Sequence, residues 1–396
     1  MNNKSIKCPY VYMHTTVHVS GHLTPCCNAS PQDDIRWLGT KLSDGGLSAP
    51  YYSEIRDQMQ NGEWPSICNI CKRQEDFGYK SLRLMALENY SSDYSTIALK
   101  YIDIKFSSIC NLSCRMCFPY ASSLVEEYYE KFQKPYFLRD EDKYNENIIE
   151  RHNQNEKLAY VKDAIENGLE VLKVTGGEPF ASKEFINIID WCLLNNYTNL
   201  ELIITTNGTK LNTRLVDKLI KFKKVRLNLS IDGTKETYSY IRYKSNWNNL
   251  EKNIKKLKEI SQDKNNIKIS VSCLLMFYNI LDIKNLAKWC FDLKIPLTID
   301  TYIKPWDNEL GVKFLPSNII NDALIDFKKI QDLQIITNIN DVINFLSTEI
   351  SYNEFMCKKL KETTEMFDID RNQTYKCLDK RLVNFLDEIR VENCTS

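Results

Sequence analysis

Cys110-Asn111-Leu112-Ser113-Cys114-Arg115-Met116-Cys117 follows closely on residues 101–106, an aromatic and β-branched run that reads as a β-strand. Three thiols within eight residues, on the loop at a strand's carboxyl end, can face one centre. Thiolates select zinc or iron–sulfur clusters. Spacing alone leaves both open. Three cysteines leave one position of a cubane cluster free, whereas a remote fourth Cys or His would complete a zinc site.

Outward from this loop, the chain alternates between strand and amphipathic helix. Helices are expected over 121–132, 157–167, 183–194, 213–222, 247–260 and 283–292, with a polar inserted stretch over 133–156. Strands are expected over 101–106, 171–174, 201–205, 225–230, 267–274 and 297–302. Such a βα series predicts an α/β fold with a parallel sheet. Six units are too few to close an eight-stranded barrel, so a partial barrel or open sheet is expected. Before it, residues 1–97 are irregular, with helical candidates at 51–60 and 71–87; after the barrel region 98–302, residues 303–396 read as mostly helical, with helices at 318–333 and 341–348.

The 396 residues are 43% hydrophobic and 26% charged, with a mean hydropathy of -0.40, enough for a sizeable core. No run of eighteen apolar residues exists, and Lys+Arg balances Asp+Glu at 52 each, so neither a membrane nor nucleic acid is expected as a partner. The opening Met1–Cys8 segment lacks an apolar signal core, which predicts a cytoplasmic protein. Fourteen cysteines in a long chain of that kind point to metal ligands or catalysis rather than a disulfide scaffold. Eight of them lie before residue 118; Cys192, Cys273, Cys290, Cys357, Cys377 and Cys394 are scattered, as buried core thiols would be.

The three-cysteine loop after the first strand of a βα series resembles the radical S-adenosylmethionine (SAM) superfamily. The resemblance implies a partial (β/α)6 barrel and a [4Fe-4S] cluster on Cys110, Cys114 and Cys117, whose open iron binds the amino and carboxylate groups of SAM. Met116 and Phe118 fall where the family contacts adenine, though both also read as core residues. Thr175-Gly176-Gly177-Glu178-Pro179 resembles the family's GGEP turn, which binds the SAM amino group. Paired glycines let a ligand approach the backbone, and a carboxylate accepts from an ammonium. Thr205-Thr206-Asn207-Gly208 resembles the TNG turn, with Asn207 as framework. Ser230-Ile231-Asp232-Gly233 with Arg242 resembles the SxDG segment and its downstream arginine. That implies Ser230 on the ribose or carboxylate of SAM and Arg242 paired with the carboxylate, while Asp232 reads as a turn residue or helix cap.

The amino-terminal cysteines resemble the twitch/SPASM auxiliary-cluster module. Cys8, twelve residues, Gly21, four residues and Cys26 form its hairpin motif, with strands at 15–20 and 22–26, and Cys68-Asn69-Ile70-Cys71 follows. Here the module precedes the barrel and the seven-cysteine SPASM set is absent. One auxiliary [4Fe-4S] cluster on Cys8, Cys26, Cys68 and Cys71 is implied; a zinc ribbon is the structural alternative. Cys27 reads as a free thiol or an exchange partner of Cys26, and His14, His18 and His22 as hairpin surface.

The function implied by the resemblance is reductive cleavage of SAM with a one-electron reductant such as flavodoxin or ferredoxin. The resulting deoxyadenosyl radical removes a hydrogen atom from a peptide or small molecule, and the auxiliary cluster assists oxidation or cross-linking. An amino-sugar dehydrogenase or epimerase of the same superfamily is an alternative, as is a non-catalytic iron–sulfur or zinc protein. Asp300 and Lys105 are the candidate bases, and Cys273 the candidate hydrogen donor, although it also reads as an inert core thiol.

Overall fold

The computed structural model describes residues 5–29, 40–76, 78–90, 96–117, 119–132, 154–262, 264–301, 309–348 and 351–390. Among them the chain forms ten strands: β1 (His14–Val17), β2 (Leu23–Thr24), β3 (Tyr101–Lys105), β4 (Ser113–Cys114), β5 (Val171–Thr175), β6 (Glu201–Thr206), β7 (Lys224–Ser230), β8 (Arg242–Tyr243), β9 (Ile267–Leu274) and β10 (Leu297–Asp300). Six of these, β3, β5, β6, β7, β9 and β10, alternate with helices, and every described pairing among them is parallel. This is the expected α/β fold of the partial (β/α)6 type. No helix among the described residues is long and apolar enough to cross a membrane. The chain forms two compact units: one of residues 1–110, 118–205 and 214–226, the other of 111–117, 206–213 and 227–396.

In the first unit the strand order is β2-β1-β3-β5-β6. β1 runs parallel to β3, with His14 opposite Tyr101 and Thr16 opposite Asp103, and antiparallel to β2 through a turn in which Gly21 has φ +80°. The amino-terminal segment is therefore built into the sheet, which its irregular punctuation did not suggest. Flanked by two strands, β1 is buried throughout, and this corrects the surface reading of the histidines. His14 and His22 are buried, and His18 Nε2 bonds Thr24 Oγ1 at 3.0 Å. The helical candidate at 71–87 is two helices, Asn69–Asp76 and Leu82–Asn89, with Gly78 at φ +76° between them. Ser81 caps the second, accepting from Leu84 N at 3.1 Å. Helix Gln154–Glu166 is held at the sheet by Lys157, whose Nζ donates to the backbone oxygens of Val19, Lys105 and Phe106. Burial pushes that ammonium down to about 8.

In the second unit β9 lies between β7 and β10, with Thr298 opposite Ser272 and Asp300 opposite Leu274. These strands alternate strictly: Leu227, Leu229, Ile269, Val271, Cys273, Leu297 and Ile299 are buried, while Asn228, Ser230, Ser270, Ser272, Thr298 and Asp300 are not. Ordinary parallel strands are apolar on both faces. A polar face on a parallel sheet marks a surface kept for ligand or water. Helix Trp247–Gln262 packs through Trp247, Leu250, Ile254 and Leu257, a helical stripe that was legible in the sequence. The carboxyl-terminal helices are Ser317–Ile330, Ile339–Ser347, Glu354–Arg371 and Lys380–Glu388.

Candidate functional site

Residues 111–117 of the cysteine loop are fixed from two directions in the second unit. β4 pairs antiparallel with β8, setting Cys114 opposite Arg242 and Ser113 opposite Tyr243. Asn111 Nδ2 donates to Thr209 Oγ1 at 2.8 Å, and Asn207 Nδ2 donates to Asn111 Oδ1 at 3.2 Å, so the Thr-Asn-Gly turn holds the loop's first residues. The Cys117 backbone N–H donates to Cys114 O at 3.1 Å, and the two thiols share a hydrogen bond. That contact, then burial, lifts the Cys114 thiol well above its ordinary value, against the opposing charge of Arg242. A bound cation reverses such a shift by deprotonating the thiol outright. Cys110 and Cys117 are half-buried.

Arg115, inside the loop, was not singled out by sequence. It is buried, its Nε donates to Tyr240 O at 3.0 Å, and its guanidinium lies 3.7 Å from the Tyr240 ring centroid. It pairs with Asp368 of helix Glu354–Arg371, while Arg371 of that helix donates to Ser113 Oγ at 3.3 Å. Deleting one partner of such a buried pair typically costs about 3–5 kcal/mol. The helix buries Lys361, Thr364, Asp368 and Arg371 along with Leu360 and Phe367. An apolar periodicity could not show a stripe made partly of charges.

Asp232 is not a helix cap. The residue before helix Lys235–Ile241 is Thr234, whose backbone N–H donates to Asp282 at 2.7 Å. Asp232 instead accepts from Leu274 N at 2.8 Å and pairs with Arg242 at 2.7 Å. Arg242 Nη1 also lies 3.9 Å from Cys114 Sγ. Ser230 is half-buried on the polar face of β7, Asp300 is exposed on the polar face of β10, and Met116 is half-buried. Cys273 faces the other way: it is wholly buried, with Asn279 Nδ2 3.5 Å from its sulfur. Phe118 lies outside the described residues, as does Cys394. Of the scattered cysteines, Cys192, Cys290 and Cys357 are buried core thiols, whereas Cys377 is exposed.

In the first unit the Gly-Gly-Glu-Pro turn follows β5. A Cβ on Gly176 would meet Lys105 Cβ at 2.7 Å, so the candidate base Lys105 lays its stem against this turn. Glu178 is buried, its backbone N–H donates to Ile109 O at 2.8 Å, and its carboxylate accepts from Phe180 N at 3.1 Å. The residue before Cys110 is thus bonded to the turn. On β3 and β5, buried Asp103 pairs with Lys173 at 2.7 Å and accepts from Thr175 Oγ1 at 3.3 Å; Lys173 Nζ lies 3.8 Å from Cys27 Sγ. Sequence reasoning missed this polar group because its members meet only across the sheet.

Cys8, Cys26, Cys68 and Cys71 line one pocket with Met59, Trp64 and Arg83. Burial pushes the Cys8 thiol up to about 11, and it lifts those of Cys26, Cys68 and Cys71; the neighbouring thiols add to the shift of Cys8, Cys26 and Cys68. Among the described residues no cysteine is in a disulfide, and no group of three His, Cys, Asp or Glu side chains is arranged to hold a metal ion.

Residues 104–290 match the family model of the Radical SAM superfamily. The chain is 24% identical to GTP 3',8-cyclase of Aliarcobacter butzleri (strain RM4018) over 56% of this chain and 60% of that relative. It is 30% identical to GTP 3',8-cyclase of Campylobacter jejuni subsp. jejuni serotype O:6 over 34% and 35%, and 26% identical to molybdenum cofactor biosynthesis protein 1 of Dictyostelium discoideum over 58% and 33%. The chain therefore spans between about a third and three fifths of these relatives' length. Among solved structures, Streptococcus suis SuiB bound to S-adenosylmethionine matches at a TM-score of 0.39 and 16% identity, covering 76% of this chain and 64% of that one. Native anSMEcpe with bound AdoMet matches at 0.41 and 20%, covering 69% and 67%.

Proposed function

We propose, from the match of residues 104–290 to the Radical SAM family model, that the protein cleaves SAM reductively and uses the resulting radical to remove a hydrogen atom from a peptide or small molecule. Cys110, Cys114 and Cys117 would hold the [4Fe-4S] cluster, which when bound supplies the electron that splits SAM. The observation that carries this reading is the cysteine loop itself. Its Cys114 and Cys117 thiols meet, and a strand pairing and two asparagines fix its backbone. Gly176, Gly177, Glu178 and Pro179 would receive the amino group of SAM, and Ser230 and Arg242 its carboxylate or ribose, with Met116 and Phe118 beside adenine. Cys8, Cys26, Cys68 and Cys71 would hold an auxiliary [4Fe-4S] cluster, in a module over residues 1–97. Asp300, on a polar sheet face, is the better placed of the candidate bases, and the burial of Cys273 counts against a donor role.

Anaerobically reconstituted protein given SAM and a one-electron reductant should form methionine and deoxyadenosine. Iron-replete protein that forms neither overturns the proposal. The named activity of the curated relatives favours a second reading, in which the substrate is GTP. GTP loss coupled to deoxyadenosine formation would establish it, and GTP recovered intact would remove it.

Glu178→Ala removes a buried acceptor for an ammonium, and a charged hydrogen bond of this kind is worth about 1.5–3 kcal/mol. SAM affinity should fall about ten- to a hundred-fold with iron content kept. Glu178→Gln keeps an acceptor for Phe180 N and separates the capping role from the charge. Unchanged SAM binding by calorimetry in both variants would make the turn structural only.

A further inference from the structure

We propose that Arg242 and Asp232 set the reduction potential of the group held by the Cys110–Cys117 loop, Arg242 raising it and Asp232 lowering it. The inference rests on the cluster reading above. The strand pairing that puts Cys114 opposite Arg242 delivers a guanidinium to the sulfur: Nη1 lies 3.9 Å from Cys114 Sγ, and Nη2 lies 2.7 Å from Asp232 Oδ2. All three residues are buried. Asp232 is itself held by the Leu274 backbone N–H at 2.8 Å, so the order carboxylate, guanidinium, sulfur is built into the packing.

A guanidinium stays charged at every working pH and offers several donors in a rigid fork. One prong is spent on Asp232 and another faces the thiol. Pairing with a SAM carboxylate requires neither arrangement, so the geometry asks for a further role. Cluster potentials depend on local charge and on hydrogen bonds to the sulfurs. Reduction adds one electron from the external one-electron reductant, and no bond at Arg242 forms or breaks. Added negative charge beside the guanidinium is favoured, so Arg242 raises the potential. Asp232 stands behind the arginine and offsets part of its field, which lowers it. In a buried setting neither effect is screened by solvent.

The test is an EPR-monitored redox titration of the anaerobically reconstituted full chain, following the signal that SAM perturbs. Arg242→Gln should be about tenfold harder to reduce at a fixed poise, a fall of about 59 mV for one electron. Asp232→Asn should shift the potential upward by a similar amount, and Arg242→Lys, which keeps the charge, should lie between the parent and Arg242→Gln. Opposite signs in the two variants are what a purely structural role does not produce. Shifts of one sign, or an unchanged potential with only SAM affinity lost, overturn the proposal. If Arg242→Gln holds no cluster, the sign in Asp232→Asn decides alone. A parent protein with no SAM-perturbed signal overturns the cluster reading and this inference with it.

Discussion

Replacing Cys110, Cys114 and Cys117 together by alanine should abolish SAM cleavage and leave about half of the bound iron. Two cubane clusters predict about eight irons in the parent protein, so about four should remain. The alanine side chains cannot coordinate iron, yet they fit where half-buried or buried thiols stood, so the fold should survive. Iron and acid-labile sulfide analysis, with deoxyadenosine measured by chromatography, reads both effects. The complementary Cys8→Ala, Cys68→Ala variant should lose the other half of the iron while keeping SAM cleavage. Retained SAM cleavage in the triple variant would sink the assignment of the loop. Stoichiometric zinc without iron in the parent would sink both clusters.

Gly177→Ala should destabilise the protein by about 3 kcal/mol and weaken SAM binding at least about tenfold. Gly177 has φ +55°, where an alanine is strained by about 1–2 kcal/mol. Its Cβ would also stand 2.3 Å from Ile109 O and 3.0 Å from Ser107 O, both backbone atoms with no rotamer to yield. Pushing Ile109 aside breaks its 2.8 Å bond from Glu178 N and shifts the backbone entering Cys110. Gly45→Ala is the control, since that glycine has φ +89° but only Ser48 Cβ nearby, at 4.0 Å. It should show the strain alone, about 1–2 kcal/mol. Equal losses in the two variants by denaturant unfolding would show that the overlap with Ile109 contributes nothing.

The sequence was most informative where chemistry is packed into contiguous residues. The loop from Cys110 to Cys117 and the Gly-Gly-Glu-Pro turn each carry their meaning within eight residues or fewer. Helix Lys183–Leu194 and strand Ile267–Leu274 were legible to the residue, because the period of buried side chains is a local property. Helix Lys235–Ile241 went unread: it is short, and its buried Thr237, Tyr238 and Tyr240 do not stand out as an apolar stripe. Helix Glu354–Arg371 was not delimited within the region read as mostly helical, because most of its buried face is polar.

By itself, then, the sequence determined the order of the six parallel strands, the α/β class and the cysteines available as ligands. All of these follow from residue type and short-range spacing. Only the tertiary structure decided that β1 enters the sheet beside β3, that Asp103 meets Lys173, that Asp232 binds Arg242 rather than capping a helix, and that Arg242 faces the Cys114 sulfur. It also decided the partner of Arg115, an aspartate 253 residues away. The reason is physical. A charge taken out of water must be matched by an opposite charge or a backbone dipole, and the folded chain supplies that match from whichever segment packs nearest, at no fixed distance in sequence.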